Sequence, residues 1–425
     1  MSEPLSMRDR LERLRRLGVQ RGVEGIQPPP PPPREPRRRA DIAEVVDGVD
    51  VTTPHGACFI ADTRYPEHAG LPVGEPPSTG HHVARLTRDA SLDRLDLRRA
   101  AFVDIETTGL GGGTGTLAFL VGVGSFEGDA FRVRQFFLRD PGDELAQLHA
   151  LDEWLSQFSG IVSFNGRAFD MPLLTTRYRL ARRRAPLATA PHLDLLLPAR
   201  RLWRARLGSC ALGSLERGIL GVERTDDVPG MIIPYIYFDY VRHGTLGRLE
   251  RVFYHNALDI VSMAALLTRM CDAFDDPWGN GVSHGADWLS LGIVYEAAGA
   301  VDQAVEAYEH AMRCQLPPEL HEQAKERWGQ LCKREGAWDR AVAEWVAAID
   351  TGTARRLYPY VELAKYYEHR ARDYTSAIVT VRRAIDMVRA SQVRHDSLNS
   401  ATVLAELEHR LARLERKAAR GSGSG

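Results

Sequence analysis

Four acidic residues lie in three apolar stretches of this 425-residue chain: Asp104 and Glu106 in AFVDIETTGL, Asp170 in IVSFNGRAFDMPLL, and Asp259 in FYHNALDIVSM. A carboxylate inside an apolar segment has to be paired, hydrogen-bonded or bound to metal, so four of them need a common explanation. Two divalent cations would supply it. Mg²⁺ and Mn²⁺ take oxygen ligands, and two such ions about 3.5–4 Å apart can clamp the attacking and leaving oxygens of a phosphodiester.

The elements that must position these groups can be read locally. Ala101, Phe102, Val103 and Ile105 predict a buried strand, ended by the turn signal Thr107, Thr108, Gly109. Side chains alternate along a strand, so Asp104 and Glu106 share a face. In the second stretch a strand over 161–164 leads through Asn165 and Gly166 to a helix that begins near Phe169, with Asp170 in its first turn. The helix dipole favours a carboxylate there even without metal, and taken alone an ordinary helix-start residue is the simpler reading. The third stretch has helical periodicity over 250–270, which puts His255 and Asp259 one turn apart on one face.

Together the three stretches resemble the motifs of the DEDD 3′-to-5′ exonucleases, whose fold is RNase-H-like. Asp104 and Glu106 match the first motif, Asn165 and Asp170 the NxxxFD second, and His255 with Asp259 the third. The order of the motifs, with LDLLLPARRLW, LGSLERGILGVERTDDVPG and HNALDIVSMAALL, resembles most closely the bacterial YprB-like family of predicted RNase-H-like exonucleases. That resemblance implies an α/β domain with a mixed sheet flanked by helices, followed by an all-α domain of tetratricopeptide-like repeats. It covers residues 40–275 well and the rest more loosely.

The resemblance implies phosphodiester hydrolysis with Asp104, Glu106, Asp170 and Asp259 as ligands of two Mg²⁺ or Mn²⁺ ions. Its third motif carries a general base, either His with four residues before the Asp or Tyr with three. Here Tyr254 has four and His255 three, so each residue type sits at the other's spacing. His255 is favoured as base, because an unperturbed imidazole titrates near neutrality and a phenol does not. Tyr254 is the reserve. By analogy Asn165 positions the terminal nucleotide of a DNA or RNA 3′ end, and the backbone at Thr107 and Thr108 its sugar. Asp194 either supports the site or caps the next helix.

The glycine-rich GLGGGTGT segment lacks the lysine and following helix of a phosphate loop, and reads as a loop beside the catalytic edge. A net charge of −1 gives no bulk attraction to nucleic acid, so binding must be local. Candidates are RYRLARRR, starting at Arg177, and ARRLWRAR, ending at Arg206; Tyr178 and Trp203 add stacking surfaces. Arg177 stands for the first cluster as a substrate contact. The competing reading is a solvated face whose arginines pair with nearby acids.

Five scattered cysteines form no disulfide framework, and the absence of a CxxC pair argues against zinc. A charged N-terminus without an apolar core, and no apolar run long enough to span a bilayer, predict a soluble cytoplasmic protein without membrane contact. Five segments are expected. Residues 1–40 form a short basic helix and a linker around the proline run 28–33; residues 41–95 form a hairpin-rich extension; residues 96–278 are the catalytic domain. Residues 279–420 are helical repeats and 421–425 a linker-like tail. In the repeats Trp288, Leu291, Gly292, Tyr295, Gly299, Ala304, Tyr308 and Ala311 fit a tetratricopeptide pattern, which recurs 37 residues later through Gly329, Gly336, Ala341, Trp345 and Ala348. A third unit surrounds Tyr366, Tyr374, Ala377 and Ala384. Such repeats could hold a protein partner. Two functions follow: a metal-dependent 3′-to-5′ exonuclease, or a nuclease fold impaired in turnover that binds nucleic-acid ends or a protein complex.

Overall fold

The computed structural model describes residues 41–66, 81–109, 113–128, 130–352, 356–392 and 398–421. The basic helix and proline linker expected over 1–40, part of the glycine-rich loop at 110–112, and residues 422–425 of the tail lie outside the described residues.

The described strands are β1 (Gly48–Thr53), β2 (Gly56–Pro66), β3 (Ala100–Thr107), β4 (Ala118–Glu127), β5 (Ala130–Phe137), β6 (Gly160–Ser163) and β7 (His192–Asp194). They form one sheet in the order β1-β2-β5-β4-β3-β6-β7. Pairing is antiparallel from β1 to β3 and parallel from β3 through β6 to β7. This is the mixed sheet the resemblance implied. The segment 41–95 is less separate than its sequence suggests, because β2 pairs with β5 along Phe59–Pro66 and the hairpin simply widens the sheet.

Helices cover both faces. On one, α1 (His81–Thr87), α4 (Leu196–Leu207) and α7 (Leu249–Asp275) share a core with Phe102, Phe131, Val162 and Leu193. On the other, α2 (Glu144–Leu155) and α3 (Asp170–Leu180) pack on Ala101, Val103, Ile105 and Val121. Alternate residues of β3 thus feed alternate cores, as a strand buried on both faces requires. Between α4 and α7 run the short α5 (Leu212–Leu215), a π-turn over Glu216–Leu220 and α6 (Ile233–His243), whose Tyr237 stacks on Phe119 at 4.1 Å.

Helix α7 approaches β4 closely because β4 carries glycines there. A Cβ on Gly122 would fall 2.2 Å from Asn256 Oδ1, and one on Gly124 2.4 Å from Ile260 Cγ2. The 27-residue helix is longer than its sequence period indicated and runs from the sheet into the C-terminal region.

That region is all helical: α8 (Gly285–Ala297), α9 (Val301–Arg313), α10 (Pro318–Arg334), α11 (Trp338–Asp350), α12 (Tyr358–Tyr366), α13 (Tyr374–Gln392) and α14 (Leu398–Gly421). Glycine on the first helix of a pair receives an aromatic ring from the second, Gly292 against Tyr308 and Gly329 against Trp345. The pairs turn through left-handed residues, Gly299 (φ +74°), Gly336 (φ +79°) and, in the third, Arg372 (φ +55°). In the third pair an arginine takes the conformation that favours glycine. Buried Glu368 anchors α14 through Arg410, Arg413 and Lys417.

The region docks on the α/β part. Helix α8 packs on α4, Arg206 pairs with Asp287 at 3.2 Å, and the Tyr295 hydroxyl donates to the Phe274 carbonyl at 3.1 Å. Among the described residues no helix is long and apolar enough to cross a membrane.

Candidate active site

Strand β3 presents Asp104 and Glu106 on the face covered by α7, the face of Phe102 two residues earlier. Asn256 of α7 donates to Asp104 Oδ2 at 2.7 Å and to the Asp104 carbonyl at 3.2 Å. Gln135 of β5 donates to Asn256 Oδ1 at 2.9 Å and to the Phe253 carbonyl at 2.7 Å. Asn256 was not singled out in the sequence, yet it lies on the helical stripe between Phe253 and Ile260. A fully buried amide on such a stripe must find partners.

Asp170 opens α3, and Gly166 makes room for it: a Cβ there would lie 2.8 Å from Asp170 Oδ2. The chain reaches that helix through Asn165 in a left-handed conformation (φ +64°). Asp194 holds this bend. Its carboxylate accepts from the backbone N–H groups of Asn165 (2.8 Å) and Arg167 (3.2 Å), and from the N–H of Leu196 (3.1 Å), the first residue of α4. The carboxylate thus ties the bend before Asp170 to the first residue of α4, whose N-cap, Leu195, has no side-chain cap of its own.

The four acids affect one another. Burial, then Asp259, Glu106 and Asp170, hold the Asp104 carboxyl well above its ordinary range, against the Asn256 hydrogen bond. Glu106 is raised by burial, Asp259 and Asp170. Burial, Asp194 and Asp259 push Asp170 to about 7. Asp259 is raised by burial, although Arg224 and His255 oppose the shift. All four are half-buried, and Asp104 and Asp259 line a cleft. The cluster is short of positive charge, which is the condition a cation would relieve.

Arg224 brings positive charge to Asp259. Arg224 pairs with Glu216 (2.5 Å), Asp227 (3.0 Å) and Asp259. Glu216, almost fully buried, also accepts from Ser262 at 2.5 Å. Asp227 takes Nδ1 of His255 on both carboxylate oxygens at 2.9 Å, while His255 Nε2 faces Asp259 Oδ2 at 3.8 Å. Burial would raise Asp227, but His255 and Arg224 outweigh it and hold the carboxyl below its usual range. An ionised Asp227 accepts only, so His255 carries a proton on Nδ1, with Nε2 turned to Asp259.

Arg224, Asp227 and Glu216 all lie in LGSLERGILGVERTDDVPG, whose mixture of charge and glycine gave no periodic signal.

The donor set suits hard divalent cations in chemistry: carboxylate oxygens from three elements, mutually repelling. It is not drawn together for one. Among the described residues no group of three His, Cys, Asp or Glu side chains is set for a metal ion. Loading would require the carboxylates to close in and Arg224 to yield part of its hold on Asp259.

The remaining expected residues separate. Tyr254 is exposed beside His255 and outside the Arg224 network. Thr107 and Thr108 close the turn after β3: Thr107 Oγ1 donates to the Gly109 carbonyl at 3.0 Å, and Thr108 Oγ1 accepts from Leu117 N–H at 2.9 Å. Arg177 needs correction. It is buried and bound in a bidentate pair to Glu144 at 2.5 and 2.6 Å, and it donates to the Thr114 carbonyl at 2.7 Å. Its guanidinium fastens the glycine-rich turn to α2 and α3, so it is not presented to substrate.

Two clefts meet at Leu212 and Asp259. One is lined by Asp104, Phe164, Asn165, Arg200 and Arg204, the other by Glu216, Arg217, Arg224, Asp227 and His255.

The sheet, the helix crossing its centre and the carboxylates between them define an RNase H-like domain, and residues 101–271 match the family model of the RNase_H superfamily. Such a domain supports a nuclease-type function. The chain is also 32% identical over 374 residues to the uncharacterized protein YprB of Bacillus subtilis (strain 168), an alignment spanning 85% of this chain and 86% of that protein. It belongs to the YprB family.

Proposed function

We propose that this protein is a divalent-cation-dependent nuclease, a 3′-to-5′ exonuclease of the DEDD type. The observation that carries the reading is the mutual influence of Asp104, Glu106, Asp170 and Asp259, each raised above its ordinary pKa with burial as the largest cause, together with the opening of Asp104 and Asp259 on one cleft. Those four would hold two Mg²⁺ or Mn²⁺ ions. When bound, such ions neutralise the acids and stabilise charge on the phosphodiester oxygens.

The chain's own residues do the rest. Asn256 fixes Asp104 from the side of α7. His255, aimed through Nδ1 by Asp227, presents Nε2 to accept the proton of the attacking water. Tyr254, more exposed and without such an orienting partner among the described residues, is the weaker base. Asn165 lines the cleft where a terminal nucleotide would sit, and by the DEDD resemblance the backbone at Thr107 and Thr108 would hold its sugar. The 3′-to-5′ polarity follows from the DEDD resemblance. The C-terminal helix pairs read as tetratricopeptide-like repeats that place substrate or hold a protein partner.

A second reading is favoured by one observation: Arg224 already occupies Asp259. If it never yields, the fold binds nucleic-acid ends without turning them over. Single strands of DNA and RNA, labelled at either end and incubated with Mg²⁺ or Mn²⁺, separate the two. Stepwise loss of the 3′ label supports the exonuclease; binding without cleavage supports the interaction protein.

A further inference from the structure

The second arginine-rich segment of the sequence divides in the structure. Arg201 donates to the Leu86 carbonyl, and Arg206 pairs with Asp287. Arg200 and Arg204 are exposed and have no carboxylate partner among the described residues. Both line the cleft that ends on Asp104 and Asp259, together with Phe164, Asn165 and Leu196. They are four residues apart on α4, so their side chains leave one face of the helix, about 6 Å apart along its axis.

Unpaired guanidinium groups are uncommon next to so much negative charge, and the neighbouring acids have other occupants. Asp194 accepts three backbone N–H groups, and Arg224 holds Asp259. Arg200 and Arg204 do not neutralise the carboxylates. They line the same cleft and, being exposed, offer two forked donors to an anion arriving there.

We infer that Arg200 and Arg204 of α4 bind consecutive phosphates of the substrate strand and feed its end to the carboxylates. This deepens the nuclease reading and rests on it. In a protein of net charge −1, two local arginines supply attraction that the whole molecule lacks. The apolar edge of Phe164 and Leu196 faces the same cleft and gives bases a surface to lie on.

The test compares the full chain with Arg200→Ala/Arg204→Ala and Arg200→Lys/Arg204→Lys variants. Fluorescence anisotropy of a labelled 20-mer single strand is followed across a KCl series, without any need for turnover. Folding is checked by circular dichroism. The alanine pair is expected to bind at least tenfold more weakly. The slope of log affinity against log salt should fall by about 1.4, at about 0.7 per phosphate contact on a single strand. The lysine pair should retain most of the affinity. Equal affinity and slope for the wild-type and alanine proteins would overturn the assignment and leave the nuclease reading standing. A wild-type protein that neither binds nor cleaves the strand would overturn both.

Discussion

His255 Nδ1 lies 2.9 Å from both carboxylate oxygens of Asp227, and its Nε2 points toward Asp259 at 3.8 Å. The imidazole is therefore held from behind, with Nε2 at the edge of the carboxylate cluster. Removing the imidazole by His255→Ala is expected to lower kcat by about 10²- to 10⁴-fold, the range for a positioned general base. Asp227→Asn keeps the shape but loses the charge that fixes the tautomer, and should lower kcat by about 10- to 100-fold. Steady-state kinetics on an oligonucleotide measure both; losses confined to KM would mean the pair binds substrate.

Arg224 compensates two buried acids, Glu216 and Asp259. Replacing it by Met leaves these charges without their partner, a change that costs about 3–5 kcal/mol in a buried pair. Urea unfolding should show that loss. Mn²⁺ should restore part of it, because an ion that binds only the folded state stabilises it. An Arg224→Met protein as stable as wild type would mean that the network contributes little.

Gly122 sets the distance between β4 and α7. In Gly122→Ala the new methyl would meet Asn256 and Ile260, and the helix carrying Asn256, His255 and Asp259 must shift. Overpacking of this kind costs about 1–3 kcal/mol. Activity should fall further than that of Gly115→Ala, a control at an exposed glycine whose added Cβ meets no other group.

Asp287 in the docked interface is pushed by burial to about 6, although Arg206 opposes the shift. A raised acid favours its protonated form in the folded state. Its stabilising proton is fully present below the unfolded value near 4 and is lost as pH rises through 6. Thermal stability of the wild type should therefore decline more between pH 5 and 7 than that of Asp287→Asn. Parallel curves for the two proteins would contradict this.

Much of this arrangement was legible in the chain. The acid pair of β3, the helix opening at Asp170 and the His255–Asp259 turn each arise from local periodicity, and the four acids influence one another electrostatically. Local pattern also told apart the helical pairs, because Gly292 and Gly329 recur at the interval of one repeat. Three features were not legible. Arg177 and Arg200 look alike in sequence, and only the position of Glu144 decides that the first is buried in a salt bridge. Asp227 and Arg224 sit in an irregular segment, where charge has no period to betray its direction. The hairpin at 48–66 reads as a separate extension because strand pairing with β5 is a long-range property.

The central claim is that Asp104 and its neighbours make a cation-dependent phosphodiesterase. It is tested most directly by single-turnover cleavage of one end-labelled oligonucleotide, with wild type and Asp104→Asn side by side in Mn²⁺ and in EDTA. Cleavage is expected only from wild type with Mn²⁺, with an Asn variant that keeps the wild-type circular dichroism. Equal cleavage by the variant, or cleavage undiminished in EDTA, would contradict it.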